Sequence, residues 1–428
     1  MYRYHTPCTD RKDTPMLKVF TTSWALLLGM LFLMVGNGVQ GTLLGIRGAI
    51  EGFSTYQMSI VMSAYFAGFL LGSRMAPELI RRVGHVRVFA ALGSLISAVL
   101  VLYAAIPDWV AWTVLRVLIG FCFSGVYVTA ESWLNNTASN ENRGQALSLY
   151  MIVQMVGIIS AQAMINFADP AGFLLFIIPS VLVSLAFAPI LLSVSPAPTF
   201  GTTKSMSIRE LYDVSPLGVV GIFLMGGVFA AMFGMTAVWG SEAGLSILEI
   251  SVFTGAIYFG GLVFQYPIGW MSDRFDRRRL VVVVALIGSL GGAMAVLFDL
   301  NFTWLIVVAL IIGGISNPLY SLLVAYTNDY LEADQMAAAS GGLLFVNGVG
   351  AILGPLVIGW LMSVIGPSGY FLFIIMLTTM LAIYAIWRMS QRAHTPDAGP
   401  YAPVSPVVSA ATVDAVYTEL TEQQAETD

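Results

Sequence analysis

Apolar residues run along this chain in long blocks, broken by short clusters of Pro, Gly, Asn and Asp. A helix needs ~20 mostly apolar residues to cross a bilayer core. Twelve stretches reach that length: 19–44, 56–77, 86–106, 110–134, 144–166, 170–194, 215–241, 250–271, 280–299, 303–327, 338–362 and 367–390. The connections, Ile106-Pro107-Asp108 and Asp169-Pro170 among them, carry residues that end helices, since proline lacks the amide that a helix uses. The longest internal connection, 195–214, holds Pro196, Pro198, Lys204 and Arg209 and reads as a cytoplasmic hinge loop. The pattern predicts an all-α polytopic membrane protein. It divides into a cytoplasmic N-terminal segment over 1–18, six-helix bundles over 19–194 and 215–390, and a cytoplasmic tail over 391–428. The tail is rich in Pro, Ala, Thr, Glu and Gln without periodicity, which predicts disorder.

Composition agrees. Charged residues fill 10% of the 428 positions, against about 25% in soluble proteins, and the mean hydropathy is +0.82. Little of the surface can face water. Cys8 lies in a polar segment and Cys122 in an apolar run, so no disulfide framework is expected. The first apolar stretch follows Arg3, Arg11, Lys12 and Lys18, is too long for a signal-peptide core and lacks a small-residue cleavage pattern. It is read as the first span. Of the 19 basic residues, Arg116 lies inside a span and Arg47 follows the first. The others gather at the N-terminus, around the even-numbered loops and at the C-terminal end. Cytoplasmic loops collect Lys and Arg, so both termini are expected in the cytoplasm, at a bacterial inner (plasma) membrane.

One fixed shift relates the two bundles. Adding 193 carries Tyr65-Phe66 onto Tyr258-Phe259, Gly68 onto Gly261, Gly120 onto Gly313 and Tyr127 onto Tyr320. The same shift carries Asn135 onto Asn328, Gln154 onto Asn347 and Gly157 onto Gly350. Six spans are an even number, so the copies point the same way. Parallel repeats are related by an axis along the membrane normal, with a substrate site at their interface near mid-depth.

After the eighth span the chain reads Gly269-Trp270-Met271-Ser272-Asp273-Arg274-Phe275-Asp276-Arg277-Arg278-Arg279. This loop resembles the signature of the major facilitator superfamily, Gly-x-x-x-Asp-Arg-x-Gly-Arg-Arg/Lys, at Gly269, Asp273, Arg274, Arg277 and Arg278; Asp276 takes the usual glycine position. The resemblance implies the twelve-helix fold of that family and a latch in which Asp273 and its arginines hold the cytoplasmic ends of the halves together. Asp273 is expected to engage the start of the fifth helix near Arg143-Gly144. The first-half loop keeps Arg81, Arg82 and Gly84 and lacks the aspartate. Arg116-Val117-Leu118-Ile119-Gly120 resembles the family's Arg-x-x-x-Gly element of the fourth helix. The stretch from Ala130-Glu131-Ser132 to Asn142-Arg143-Gly144 is similar to a bacterial YcaD-like subgroup. Gly348 to Pro355 is similar to an antiporter signature of the fifth helix but sits in the eleventh, which leaves export open.

Polar side chains inside the spans mark a candidate cavity. Asn37 and Gln40 lie three apart on the first helix, Tyr150 and Gln154 four apart on the fifth, and Tyr127 shares a face with Arg116. The second half adds Tyr258, Asn317, Tyr320 and Asn347. Gln154 and Asn347 stand out because they are repeat-equivalent. Intramembrane charges face a cavity or a partner. Glu131 reads either as a charge partner of Arg81, Arg82 or Arg143, which places it in the gating set, or as a proton carrier. Arg116 reads either as a structural cation or as a substrate or relay group.

No phosphate loop of the form Gly-x-x-x-x-Gly-Lys-Ser/Thr occurs, so ATP drive is not expected. The histidines His5, His85 and His394 fall outside the predicted spans and form no zinc element, so an enzyme, a cofactor or a metal is not expected. The reading is a secondary active transporter of a small solute by alternating access, working as a monomer in the lipid bilayer with no nucleic-acid partner. Protons are a candidate coupling ion. The 21 Met, 25 Phe and 17 Tyr would suit an amphipathic cargo, and Arg116 would favour an anion. A non-transporting membrane sensor or partner-binding protein on the same fold is the alternative.

Overall fold

The computed structural model describes residues 15–137, 143–192, 206–298, 301–391, 401, 402 and 404. Its helices are α1 (Pro15–Ile50), α2 (Thr55–Val83), α3 (His85–Ala105), α4 (Trp109–Thr137), α5 (Arg143–Met164), α6 (Leu174–Ala186), α7 (Ala188–Leu192) and α8 (Ile208–Val214). They continue as α9 (Pro216–Ala230), α10 (Thr236–Glu242), α11 (Ile247–Ser272), α12 (Arg277–Leu297), α13 (Phe302–Asn328), α14 (Ala333–Ile365) and α15 (Ser368–Gln391). Helix starts follow from local chemistry. Ser54 and Gln57 form a capping box at α2, and Ser246 and Glu249 form the corresponding one at α11, each serine accepting from the amide three residues on.

Among the described residues, eleven helices are long and apolar enough to span a membrane, α9 and α10 counting as one. The sixth predicted span differs. It is a 13-residue apolar helix, α6, that stops at Phe187 and resumes as the short α7. Pro189 accounts for the break. It has no amide to bond back, and within a continuous helix its ring would meet the carbonyl of Leu185, whereas in the first turn of a new helix it is tolerated.

The sequence repeat is also a packing repeat. In the first half α1 packs on α5, α2 on α4 and α3 on α6; in the second, α9 packs on α14, α11 on α13 and α12 on α15. Gly120 and Gly313 do the same work in each copy. A Cβ at Gly120 would lie 2.1 Å from the Tyr65 carbonyl oxygen, and one at Gly313 would lie 2.0 Å from that of Ile257. Without hydrophobic drive in lipid, such close backbone contact is what holds helices together.

The helices alternate, so one end of the bundle carries Pro15, Val83 and Gln391 (the near end) and the other carries Ile50, Thr55 and Glu242 (the far end). Among the described residues, three seams join the halves. Helix α2 runs along α14, with Ser59 against Gly359, Ser63 Oγ donating to the Ile352 carbonyl at 2.5 Å, and the Arg74 guanidinium 4.1 Å from the Phe345 ring centre. The other two seams lie at the far end. Gly45 packs on Ala237, Thr55 Oγ1 donates to Glu242 Oε2 at 2.8 Å, and Gln162 meets Gly255. Composition predicts disorder throughout 391–428, yet Ala402 and Val404 are buried and Tyr401 packs between α11 and α13. His85, expected in a loop, opens α3 and is buried with Nε2 3.0 Å from Ser132 Oγ.

Candidate functional site

A cavity of about 1320 Å³, including its open mouth, lies between the halves. Eight of the ten side chains expected there line it: Asn37, Gln40, Arg116, Tyr127, Gln154, Tyr258, Asn317 and Asn347. Tyr150 and Tyr320 do not. Tyr150 is buried and donates to the Glu131 carboxylate at 3.3 Å, while Tyr320 is turned edge-on against Phe229. Both face helix neighbours rather than the opening, because hydroxyl and ring each find a partner there.

The first half supplies a connected polar strip. The three-residue spacing of Asn37 and Gln40 puts them on one face of α1, where Gln40 Nε2 donates to Asn37 Oδ1 at 3.1 Å. Asn37 Nδ2 donates to the Tyr127 hydroxyl at 3.2 Å, and the Tyr65 hydroxyl donates to Asn37 Oδ1 at 3.4 Å. At the other end of the strip, Arg116 donates to Gln40 Oε1 at 2.6 Å. Each amide is thereby turned with its oxygen or nitrogen in a defined direction. On α14, Asn347 Nδ2 donates to the Ile222 carbonyl at 3.3 Å. The repeat-equivalent pair Gln154 and Asn347 does meet at one cavity, from opposite halves.

The second half supplies rings. Phe229, Phe233 and Tyr258 form a stacked ladder, with centroids 5.5 and 5.1 Å apart and planes within 16° and 18°. Its middle ring, Phe233, belongs to a π-helical turn at Ala231–Met235, which interrupts the seventh span at cavity depth. Such turns insert a residue and re-aim side chains, often at functional sites. Met232, Phe233, Gly234 and Thr236 all line the cavity. Sequence reasoning did not find the turn or the ladder. Phe229 and Phe233 are four apart in an apolar run, which looks like ordinary packing; the signal that was present is Tyr65, which the repeat pairs with Tyr258 and which also lines the cavity.

Among the described residues, the loop after α11 makes its ion pairs within the second half. Arg277 pairs with Asp329 at the end of α13 and approaches Asp273 at 3.9 Å. Arg278 pairs with Asp276 at 2.9 Å, and Arg274 lies 4.2 Å from the Trp270 ring centre. Gly269 is covered by the ring of Tyr401. In the first half, Arg81 and Arg82 both pair with Glu78 and are exposed. They are therefore not the charge partners of Glu131, which is fully buried on α4 beneath the Tyr150 hydroxyl. The side chain of Arg143, the third partner considered, lies outside the described residues.

Comparison with known proteins follows the same lines. The family model described as Major Facilitator Superfamily matches residues 26–264 and 217–417. A protein of Escherichia fergusonii named as the MFS-type transporter YcaD is 28% identical over 391 residues, spanning 89% of this chain and 98% of that protein. Its namesake in Escherichia coli O45:K1 is 29% identical over 383 residues, spanning 87% and 96%. Among solved structures, a mutant of the nucleoside transporter NupG superposes with a TM-score of 0.70 at 14% identity, covering 87% of this chain and 99% of that one. A bacterial homologue of the human lysosomal transporter Spinster, inward-facing and unoccupied, superposes with a TM-score of 0.68 at 14% identity, covering 96% and 98%. Two copied six-helix bundles, their signature loop and this family match over most of the length lead to one conclusion: the chain is a multi-pass membrane protein that belongs to the Major Facilitator Superfamily.

Proposed function

We propose that the chain is a secondary active transporter that moves a small solute through the central cavity by alternating access. The observation that carries this reading is the placement of the cavity: it lies on the seam between repeat-related halves and is lined by polar and aromatic side chains from both. Parallel repeats can rock against each other about such a site without exposing it to both sides at once. The far-end contacts Gly45–Ala237, Thr55–Glu242 and Gln162–Gly255 support a state closed at that end. They must part for the far side to open, and the loop of Gly269, Asp273, Arg274, Arg277 and Arg278 is the matching closure at the near end. The distribution of Lys and Arg supports a near end that faces the cytoplasm of a bacterial inner membrane.

Asn37, Gln40, Arg116, Tyr127, Gln154, Tyr258, Asn317 and Asn347 are the cargo contacts in this reading. Glu131 is the proton site if transport is proton-coupled; flux through Glu131→Gln would then lose its pH dependence. An amphipathic cargo suits the ring-rich wall, and export is one direction it could take.

The test is distance measurement between spin labels in lipid vesicles. One pair, Tyr56 with Leu248, spans the far end, and another, Arg81 with Arg274, spans the near end. The carrier reading expects two populations at each end that change in opposite directions across pH and added solutes. A far end that stays closed under every condition would remove it.

A further inference from the structure

We propose that the cavity takes an aromatic monoanion, an arene bearing a single carboxylate or sulfonate, with the acid group on Arg116 and the ring against the Phe229–Phe233–Tyr258 ladder. This rests on the carrier reading for what the cavity does and deepens it by naming the chemistry of the cargo.

The charge comes first. Arg116 is 2% exposed and lines the cavity. Among the described lining residues it is the one Lys or Arg, and none is Asp or Glu. A guanidinium stripped of water is costly to keep unless a carboxylate compensates it. Here its partners are neutral: Gln40 Oε1 at 2.6 Å, the adjoining Met62 sulfur and the Tyr65 ring, whose centre is 5.2 Å away. Its Nε is buried without an acceptor. The neutral contacts also fix its direction. Gln40 presents its oxygen to Arg116 because its nitrogen is committed to Asn37, and Asn37 is held in turn by Tyr127 and Tyr65. The strip therefore holds a cation in place and leaves its charge unmatched. A ligand anion would supply the match as a charge-assisted hydrogen bond, roughly twice as strong as a neutral one.

The shape comes second. Three near-parallel rings stand on one side of the cavity, and Tyr65, Phe69 and Tyr127, with centroids 6.2 and 6.0 Å apart, stand on the other. Offset stacking and edge contacts both favour an arene between them. One guanidinium can match one charge. A dianion would bring a second charge into the cavity with no cation to meet it, which limits the ligand to a monoanion.

The experiment is calorimetric titration of the detergent-purified full-length protein with four probes: benzenesulfonate, benzamide, phenyltrimethylammonium and methanesulfonate. Benzenesulfonate should bind at least about tenfold tighter than each of the others, a gap of roughly 1.4 kcal/mol. Gln40→Glu places a carboxylate on Arg116 at nearly unchanged volume and should bring benzenesulfonate and benzamide to within about twofold of each other. This variant neutralises Arg116 without removing it, so the test does not depend on deleting a buried side chain.

Equal binding of the three aromatic probes would overturn the charge assignment while leaving a ligand cavity, and hence the carrier reading, in place. Methanesulfonate as strong as benzenesulfonate would overturn the arene assignment. Undiminished benzenesulfonate binding in Gln40→Glu would overturn the role given to Arg116. Binding of none of the probes, in a protein whose end distances still switch, sinks the cargo class alone; with a far end that never opens, it sinks the transport reading as well.

Discussion

The backbone amide of Tyr401 donates a hydrogen bond to Asp273 Oδ1 at 3.1 Å, so the signature aspartate of the loop after α11 is in contact with the chain's own C-terminal segment. The ring of Tyr401 covers Gly269, one turn before Asp273, and its hydroxyl accepts from Gln265 Nε2 at 2.8 Å. Burial pushes the Tyr401 phenol above its usual pKa, so it stays neutral around physiological pH. Three residues on, Val404 N donates to Ser321 Oγ at 3.0 Å, and that hydroxyl donates back to the Val404 carbonyl at 2.9 Å.

This segment lies on the face where a closing latch would need Gly269 and Asp273. Helix α5 meets α11 at the far end, through Gln162 and Gly255, while the near end of α11 carries Tyr401. Displacing the segment should therefore let the near end close more readily. Ala402 is fully buried, so Ala402→Arg cannot be accommodated in place. The expected result is a shorter Arg81–Arg274 label distance and a longer Tyr56–Leu248 distance than in the parent protein. Unchanged distances in Ala402→Arg would mean that the segment decorates the loop without bracing it.

The two carboxylates beside Arg277 should differ in what they contribute. Asp329 and Arg277 have side chains only 5% and 3% exposed. Losing one partner of such a pair weakens the compensation of a buried charge, at up to about 3–5 kcal/mol. Asp273 stands 3.9 Å from Arg277 with 47% of its side chain exposed, where ion pairs contribute about 0–1 kcal/mol. Asp329→Asn should thus lower the thermal midpoint of the purified protein much more than Asp273→Asn. The latter should show itself in the balance of end distances. Similar midpoints for the two variants would contradict this division between a stabilising and a gating carboxylate.

Much of this architecture was legible in the sequence, for identifiable reasons. Lipid forces each span to satisfy its own backbone, so span length and apolarity nearly determine the helices. The 193-residue shift of Gly120 onto Gly313 then foretold matching α2–α4 and α11–α13 contacts, because only small residues permit that approach. Cavity residues such as Asn37 and Asn347 were legible as polar groups in apolar runs. What escaped depended on backbone register or on distant chain. The π turn at Ala231–Met235 has no composition of its own, and Tyr401 reaches Asp273 across 128 positions from a stretch that reads as tail. Tyr150 and Tyr320 were misplaced because periodicity gives a helical face but not which neighbour that face meets.

The packing repeat can be tested symmetrically. Gly120→Ala would set a methyl 2.1 Å from the Tyr65 carbonyl oxygen and Gly313→Ala would set one 2.0 Å from that of Ile257, both backbone atoms that cannot swing aside. Overpacking of this kind costs about 1–3 kcal/mol. Each substitution should lower unfolding stability by a similar amount, since both glycines let a helix approach a backbone carbonyl at nearly the same distance. A loss in one variant with none in the other would argue that the halves do not share this contact in the membrane.

Thr236 closes the π turn and ties it to α15, which makes a double-mutant cycle informative. Its hydroxyl lies 2.7 Å from the Met232 carbonyl and 2.7 Å from the Tyr370 hydroxyl. A single hydroxyl proton can serve only one of these bonds, so Thr236 donates to the carbonyl and Tyr370 donates to Thr236. Tyr370 is fully buried. Thr236→Val would strand its hydroxyl, at about 1–3 kcal/mol, whereas removing both partners is nearly neutral for that bond. Tyr370→Phe in the Thr236→Val background should therefore recover part of the lost stability, with a coupling of at least about 0.5 kcal/mol. Met232 and Phe233 line the cavity from the same turn, so the single variant should also weaken probe binding, and the double variant should not restore it, because the Met232 carbonyl remains without its donor. Full additivity in stability, or probe affinity untouched by Thr236→Val, would show that the turn is shaped by other contacts.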